Sequence, residues 1–166
     1  MNLLKRYLSN EPVQDRYNRT YENLSAQVEL LAFCLMPSHF HLLLYQKDVA
    51  GMTNLLQRVL TTYSMYFNKK YRRIGALFQD TYKASRIVSD EYLQHISRYI
   101  HLNPDNWRSW EFSSLDYYLD KKQATWLNHM PILELFENRK DYIDFVADYD
   151  DYKKSLDELK FELANG

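Results

Sequence analysis

The chain has 166 residues, enough for one domain with one sizeable core and short for two. Apolar residues make up 46% and charged residues 26%, and with only three glycines and four prolines the composition excludes collagen, low-complexity sequence and linker-rich modular proteins. The net charge of −1 does not by itself advertise a polyanionic partner, whereas 15 Tyr, 8 Phe and 3 Trp make the aromatic content stand out.

In chain order, residues 1–8 and the stretch 15–25 read as helical or irregular. Charges interrupt the N-terminal Met-Asn-Leu-Leu-Lys-Arg-Tyr-Leu before an apolar core forms, so it is no secretory signal. The longest uncharged apolar run, Leu30 to Pro37, is far below the ~20 residues a membrane span requires, so no membrane partner is expected. The single cysteine, Cys34, lies inside that run and is expected to be a buried small hydrophobe. Without a second cysteine no internal disulfide forms, which fits a reducing compartment and a cytoplasmic protein.

Residues 28–35 are apolar and residues 39–46 alternate. They predict two strands, or one long strand broken at Met36-Pro37-Ser38, because proline cannot donate to a central ladder. Gly51 and Thr53 open a helix whose apolar positions Leu55, Leu56, Val59, Leu60, Tyr63 and Phe67 recur at helical spacing. Gly75 marks a turn, followed by Ala76-Leu77-Phe78 as a strand or extended piece. Ser89-Asp90 is a good N-cap pair for a second helix, which runs through Leu93, Ile96 and Ile100 and stops at Asn103-Pro104. The remainder is helical in character, with Pro131 suited to a first turn. Strands mixed with helices predict an α+β protein without internal repeats. Residues 1–125 carry the motifs, and 126–166 read as an acidic helical C-terminal extension of the same domain.

The overall charge hides an asymmetry. Residues 54–87 carry Arg58, Lys69, Lys70, Arg72, Arg73, Lys83 and Arg86 against Asp80 alone, a net +6, while residues 141–166 sum to −5. Such a run is either a solvated face or a phosphate-contacting surface. Aromatic residues and Asn68 interleave the cations, a pattern that suits single-stranded nucleic acid, whose bases are free to stack.

Two local arrangements can carry chemistry. On a strand, His39 and His41 share a face about 6–7 Å apart, while Phe40, Leu42 and Leu44 point the other way into a core. Two such imidazoles are either ordinary strand histidines or a grip on one divalent ion. Tyr99 and Asn103 stand i, i+4 on the second helix and share one face, with His95 one turn earlier. Tyr99 is either an amphipathic-helix residue or a nucleophile, since a phenol beside a metal-bound phosphate can attack it.

Met36-Pro37-Ser38-His39-Phe40-His41-Leu42-Leu43-Leu44 resembles the His-hydrophobe-His core of the HUH single-strand DNA endonucleases. It is similar in particular to the insertion-sequence-200-like and REP-associated tyrosine transposases. Arg98-Tyr99-Ile100-His101-Leu102-Asn103-Pro104 resembles the segment of that family that bears its nucleophilic tyrosine. Tyr66-Phe67-Asn68, Arg73 to Gln79 and Trp110 to Leu115 are similar to further family segments, so the likeness covers roughly residues 30–120. Ser38 stands where the family usually has asparagine.

The resemblance implies a ferredoxin-like antiparallel sheet with helices packed on one face. Family members begin with a strand before their first helix; Met1–Leu8 already reads as that helix, so the sheet is expected to lack its first strand. The implied reaction is metal-dependent nicking and rejoining of single-stranded, hairpin-flanked DNA through a 5′-phosphotyrosine at Tyr99. His39, His41 and Asn103 would hold Mg²⁺ or Mn²⁺, and Arg58, Asn68, Lys69, Lys70, Arg72, Arg73, Lys83 and Arg86 would contact DNA, in a monomer or homodimer. Two other classes stay open: an inactive or domesticated nucleic-acid-binding module of the same fold, and a plain structural domain.

Overall fold

The computed structural model describes residues 2–9, 20 and 22–148, and the element order among them is helix, two strands, then five further α-helices with a short 3-10 helix (Trp107–Ser109) after the second of these. The chain divides into two units: residues 1–30, 44–81 and 125–127 form one, and residues 31–43, 82–124 and 128–166 the other. The expected helical reading of residues 149–166, and most of that of 15–25, falls outside the described residues.

In the first unit, helix α1 (Asn2–Leu8) forms because Leu4, Tyr7 and Leu8 recur at helical spacing and bury together. Helix α2 (Gly51–Tyr71) receives it; the Tyr7 and Thr62 hydroxyls are 3.0 Å apart. At the first residue of α2 the backbone of Gln27 comes so close that a Cβ on Gly51 would run into its carbonyl. Burial along α2 is confined to Gly51, Leu55 and Leu56, so the apolar stripe that the spacing suggests stays half-exposed or exposed at Val59, Leu60, Tyr63 and Phe67.

The helix ends on Arg72 in the left-handed conformation (φ 54°), whose N–H bonds the Asn68 carbonyl. Asn68 Nδ2 donates to the Gly75 carbonyl at 2.8 Å, and Gly75 supplies the second positive φ of the turn. Ala76-Leu77-Phe78 then runs as irregular backbone, without ladder bonds that would make it a strand.

Strands β1 (Val28–Leu35) and β2 (Phe40–Gln46) pair as an antiparallel hairpin, closed by the Met36 N–H on the His39 carbonyl at 2.8 Å. The break at Pro37 falls where the sequence places it. In the second unit the other edge of β1 is covered by residues 110–114. Leu35 N–H bonds the Phe112 carbonyl, Ser114 N–H bonds the Phe33 carbonyl, and Trp110 Nε1 donates to the Leu35 carbonyl at 3.0 Å. One isolated bridge, Cys34 with Ser113, marks this partial third strand. Two strands and one bridged segment are what the described residues hold of the ferredoxin-like sheet. The protein is α+β, with an antiparallel sheet and helices packed on it.

Helix α3 (Asp90–Leu102) begins where Ser89 Oγ accepts the Tyr92 N–H. Its inner residues Ile96, Tyr99 and Ile100 join Leu31, Cys34 and Leu43 in one core. Leu43 lies two residues from His41, so the covered face of β2 is the histidine face. The expectation that Phe40, Leu42 and Leu44 face the core is corrected: all three are half-buried while Leu43 is buried. Alternation defines two faces; the helix that lands on one decides which is inside.

Helices α4 (Leu115–Tyr118), α5 (Met130–Leu133, with Pro131 in its first turn) and α6 (Arg139–Ala147) complete this unit. Its centre holds a polar chain. His101, fully buried, has Nδ1 2.7 Å from the Tyr142 hydroxyl and Nε2 2.7 Å from Ser114 Oγ. The Tyr142 hydroxyl also lies 3.3 Å from Ser97 Oγ, and Ser114 Oγ stands within hydrogen-bond distance of both polar groups of the Phe33 backbone. Burial pushes the His101 pKa down to about 3, so the ring is neutral and serves as a hydrogen-bonded strut between α6, α3 and β1.

Candidate active site

The hairpin and α3 bring together the two arrangements found in the sequence. His39 ends the Pro37 turn and His41 follows on β2, their ring centroids 5.0 Å apart and edge to face. Across from them Asn103 keeps helical backbone angles up to Pro104, so its side chain stays on the Tyr99 stripe. Its amide reaches both imidazoles: Nδ2 lies 3.1 Å from His41 Nε2, and Oδ1 lies 3.3 Å from His39 Nε2. Tyr99, one turn earlier, sets its ring edge to face against His41 at 5.2 Å.

The proton pattern follows from the partners. Burial, reinforced by the neighbouring His39, pushes the His41 pKa down to about 4, so that ring is neutral and its Nε2 accepts from Asn103. His39 Nε2–H then donates to Asn103 Oδ1, and Ser38 Oγ bonds His39 Nδ1 at 3.1 Å. A hydroxyl can donate or accept, so Ser38 supports either His39 tautomer. Burial raises the Tyr99 pKa above the usual phenol value, while a hydrogen bond with Asn103 pulls the other way. The phenol is 6% exposed and neutral at physiological pH.

Among the described residues no group of three His, Cys, Asp or Glu side chains gathers, so a cation here would draw on the Asn103 amide as third donor. With His39 in the Nδ1–H tautomer, whose proton Ser38 Oγ can accept, the two imidazoles and the amide that touches both of them form a set that fits a divalent ion. The Asn103 amide and the His41 ring are neutral, so they do not offset its charge. Imidazole suits Zn²⁺, Cu²⁺, Fe²⁺ and Ni²⁺, whereas Mg²⁺ and Mn²⁺ prefer oxygen, so either of the latter would lean on the Asn103 oxygen and on oxygens from outside the chain.

The remaining site residues scatter. His95 packs its ring 5.6 Å from Phe145 and lies 3.3 Å from an Arg98 nitrogen, apart from the histidine pair. Arg58 is ion-paired with Glu22, and Asn68 is spent on the Gly75 turn. Lys69, Lys70, Arg72 and Arg73 are exposed at the end of α2, in the first unit. Lys83 and Arg86 are exposed on irregular chain before α3, in the second. The buried strut His101, with Tyr142, Ser97 and Ser114, escapes sequence reasoning. The one available signal is Ser97 and His101 at i, i+4 beside the apolar Ile96 and Ile100.

The family model described as "Transposase IS200 like" matches residues 4–103, more than half of the chain. The stretch ends on Asn103 and includes His39, His41 and Tyr99. This chain belongs to the IS200-like transposase family, whose members act on DNA. No curated protein and no solved structure matches it significantly. Among the described residues no helix is long and apolar enough to cross a membrane.

Proposed function

We propose that the protein nicks and rejoins single-stranded, hairpin-flanked DNA, with Tyr99 as nucleophile and His39, His41 and Asn103 as the cation site. The observation that carries this reading is the Asn103 amide, which touches both His39 and His41 while Tyr99, on its own helix face, packs against His41. A bound Mg²⁺ or Mn²⁺ would neutralise charge developing on the scissile phosphate. The Tyr99 oxygen attacks phosphorus and loses its proton, the P–O3′ bond breaks, and the departing 3′ oxygen gains a proton. The 5′-phosphotyrosine conserves the phosphodiester bond, so rejoining is the reverse step and needs no nucleotide cofactor. His41, held neutral, keeps a lone pair for the cation; Ser38 and Tyr99 hold the rings in place. The cations after Tyr66 would hold phosphates of the substrate.

The test is a covalent adduct between the protein and a hairpin oligonucleotide with a single-stranded flank, in Mn²⁺, surviving denaturing electrophoresis. An adduct that persists in Tyr99→Phe overturns the assignment. A second reading, a nucleic-acid-binding module of the same fold that does not cleave, is favoured by one observation: the phenol is nearly buried. It predicts DNA binding indifferent to chelator and to His39→Ala, with no adduct.

A further inference from the structure

The C-terminal half of α2 is an unusual surface. Beyond Thr62 the helix is exposed at Tyr63, Met65, Tyr66, Lys69, Lys70 and Tyr71. Tyr66 and Tyr71 are 58% and 54% exposed, where tyrosines on a helix flank ordinarily bury most of the ring. Tyr71 packs on half-buried Phe67 in the helical row Tyr63–Phe67–Tyr71, with ring centroids 5.9 and 4.5 Å apart, while Tyr66 stands off this row. Tyr71 is therefore ordered by a ring contact while more than half of it stays exposed. A cluster of large exposed rings marks an interaction surface.

Charge decides among occupants. Lys70 Nζ stands 5.8 Å from the Tyr66 ring and 5.2 Å from the Tyr71 ring, and Arg73 lies 5.7 Å from Phe67, folded back by the left-handed Arg72. Among the described residues none of Lys69, Lys70, Arg72 and Arg73 has a carboxylate partner. A second copy of this face would set like charges against each other. Duplex DNA could satisfy the cations but keeps its base faces stacked inside, leaving the rings uncovered. A single strand satisfies both: phosphates meet the cations while unpaired bases lie on the rings.

We propose that Tyr66 and Tyr71, bracketing Lys70, form a stacking platform for unpaired bases of the DNA strand. The platform rests on DNA being the partner, and adds where and how the unpaired state is read. Base recognition through ring faces tolerates any sequence and rejects the paired state, because a paired base has no free face to offer.

The experiment measures binding of the whole protein to a fluorescent single-stranded oligonucleotide and to the same strand with abasic sites, by anisotropy. Tyr66→Ala/Tyr71→Ala should weaken binding of the normal strand by at least about fivefold and up to about 150-fold for each stack lost. It should leave the abasic strand nearly unchanged, and Tyr66→Phe/Tyr71→Phe should retain affinity because the ring face is kept. Equal losses on both strands, no loss on either, or sedimentation showing these tyrosines in a dimer contact would overturn the platform. Both tyrosines are exposed, so unchanged thermal melting is expected to confirm a folded variant. The adduct assay with Tyr99→Phe is independent: wild-type protein that binds strand through the platform without forming an adduct refutes the catalytic reading alone.

Discussion

Asn103 Nδ2 lies 3.1 Å from His41 Nε2, joining the last turn of α3 to the second strand at the point where the histidines project. The same amide touches His39, so one side chain sets the spacing of the donor set. Asn103→Ala should raise the Mn²⁺ concentration for half-maximal adduct formation by about 10–100-fold, the usual effect of losing a supporting polar partner. Asn103→Asp should lower it, because a carboxylate offsets the ion's charge. A Mn²⁺ titration of each variant that leaves the midpoint unmoved would remove Asn103 from the site.

Tyr99→Phe removes one oxygen and keeps the ring that packs on His41. Adduct formation should vanish, while strand affinity stays within about twofold and the loss of one partly satisfied hydrogen bond costs about 1 kcal/mol. Thermal melting and anisotropy check the two halves separately.

His101 bridges Tyr142 and Ser114 in the dry centre of its unit. His101→Leu should destabilise by about 2–4 kcal/mol, since it strands buried hydroxyls. Tyr142→Phe alone should cost about 1 kcal/mol. The double variant should cost less than the two together, because both remove the same bond. Urea unfolding of the three proteins reads this out, and additive costs would dissolve the strut.

Gly51→Ala should destabilise by about 1–3 kcal/mol. On an open helix the same change stabilises by about 1 kcal/mol. The approach of Gln27 reverses the sign. A gain in the urea midpoint would mean that the approach relaxes freely.

Burial pushes the Cys34 thiol up from 9.0 to about 11 and raises the phenols of Tyr99, Tyr118 and Tyr142 as well. In the unfolded chain these groups lose protons earlier, so their contribution is fully present well below pH 9 and is lost as pH rises through 9 to 11. Urea midpoints at pH 7, 8 and 10.5 should be nearly equal for the first two and lower for the third. Cys34 should meanwhile resist thiol reagents at pH 8 until the chain unfolds.

Much of this was legible in the residues. The break at Pro37, the Ser89 cap and the stop at Pro104 rest on local backbone chemistry, which a sequence carries in full. The pairs His39/His41 and Tyr99/Asn103 were legible as shared faces, because strand and helix periods fix which neighbours point together. A near-neutral total charge, by contrast, concealed the cationic end of α2.

What tertiary structure alone decided is which faces meet. Alternation offered two sides of β2, and the side chosen for the core was the wrong one until α3 landed on Leu43. The same landing placed Asn103 against the histidines and sealed His101 among hydroxyls. Those are contacts across some 60 residues of chain between His41 and Asn103. No local period encodes them; they follow from the fit of one apolar surface onto another, and so does the count of tyrosines left outside. Of the aromatic surplus that composition displays, Tyr118 and Tyr142 went to the core, Tyr99 to the site, and Tyr66 and Tyr71 remained facing solvent.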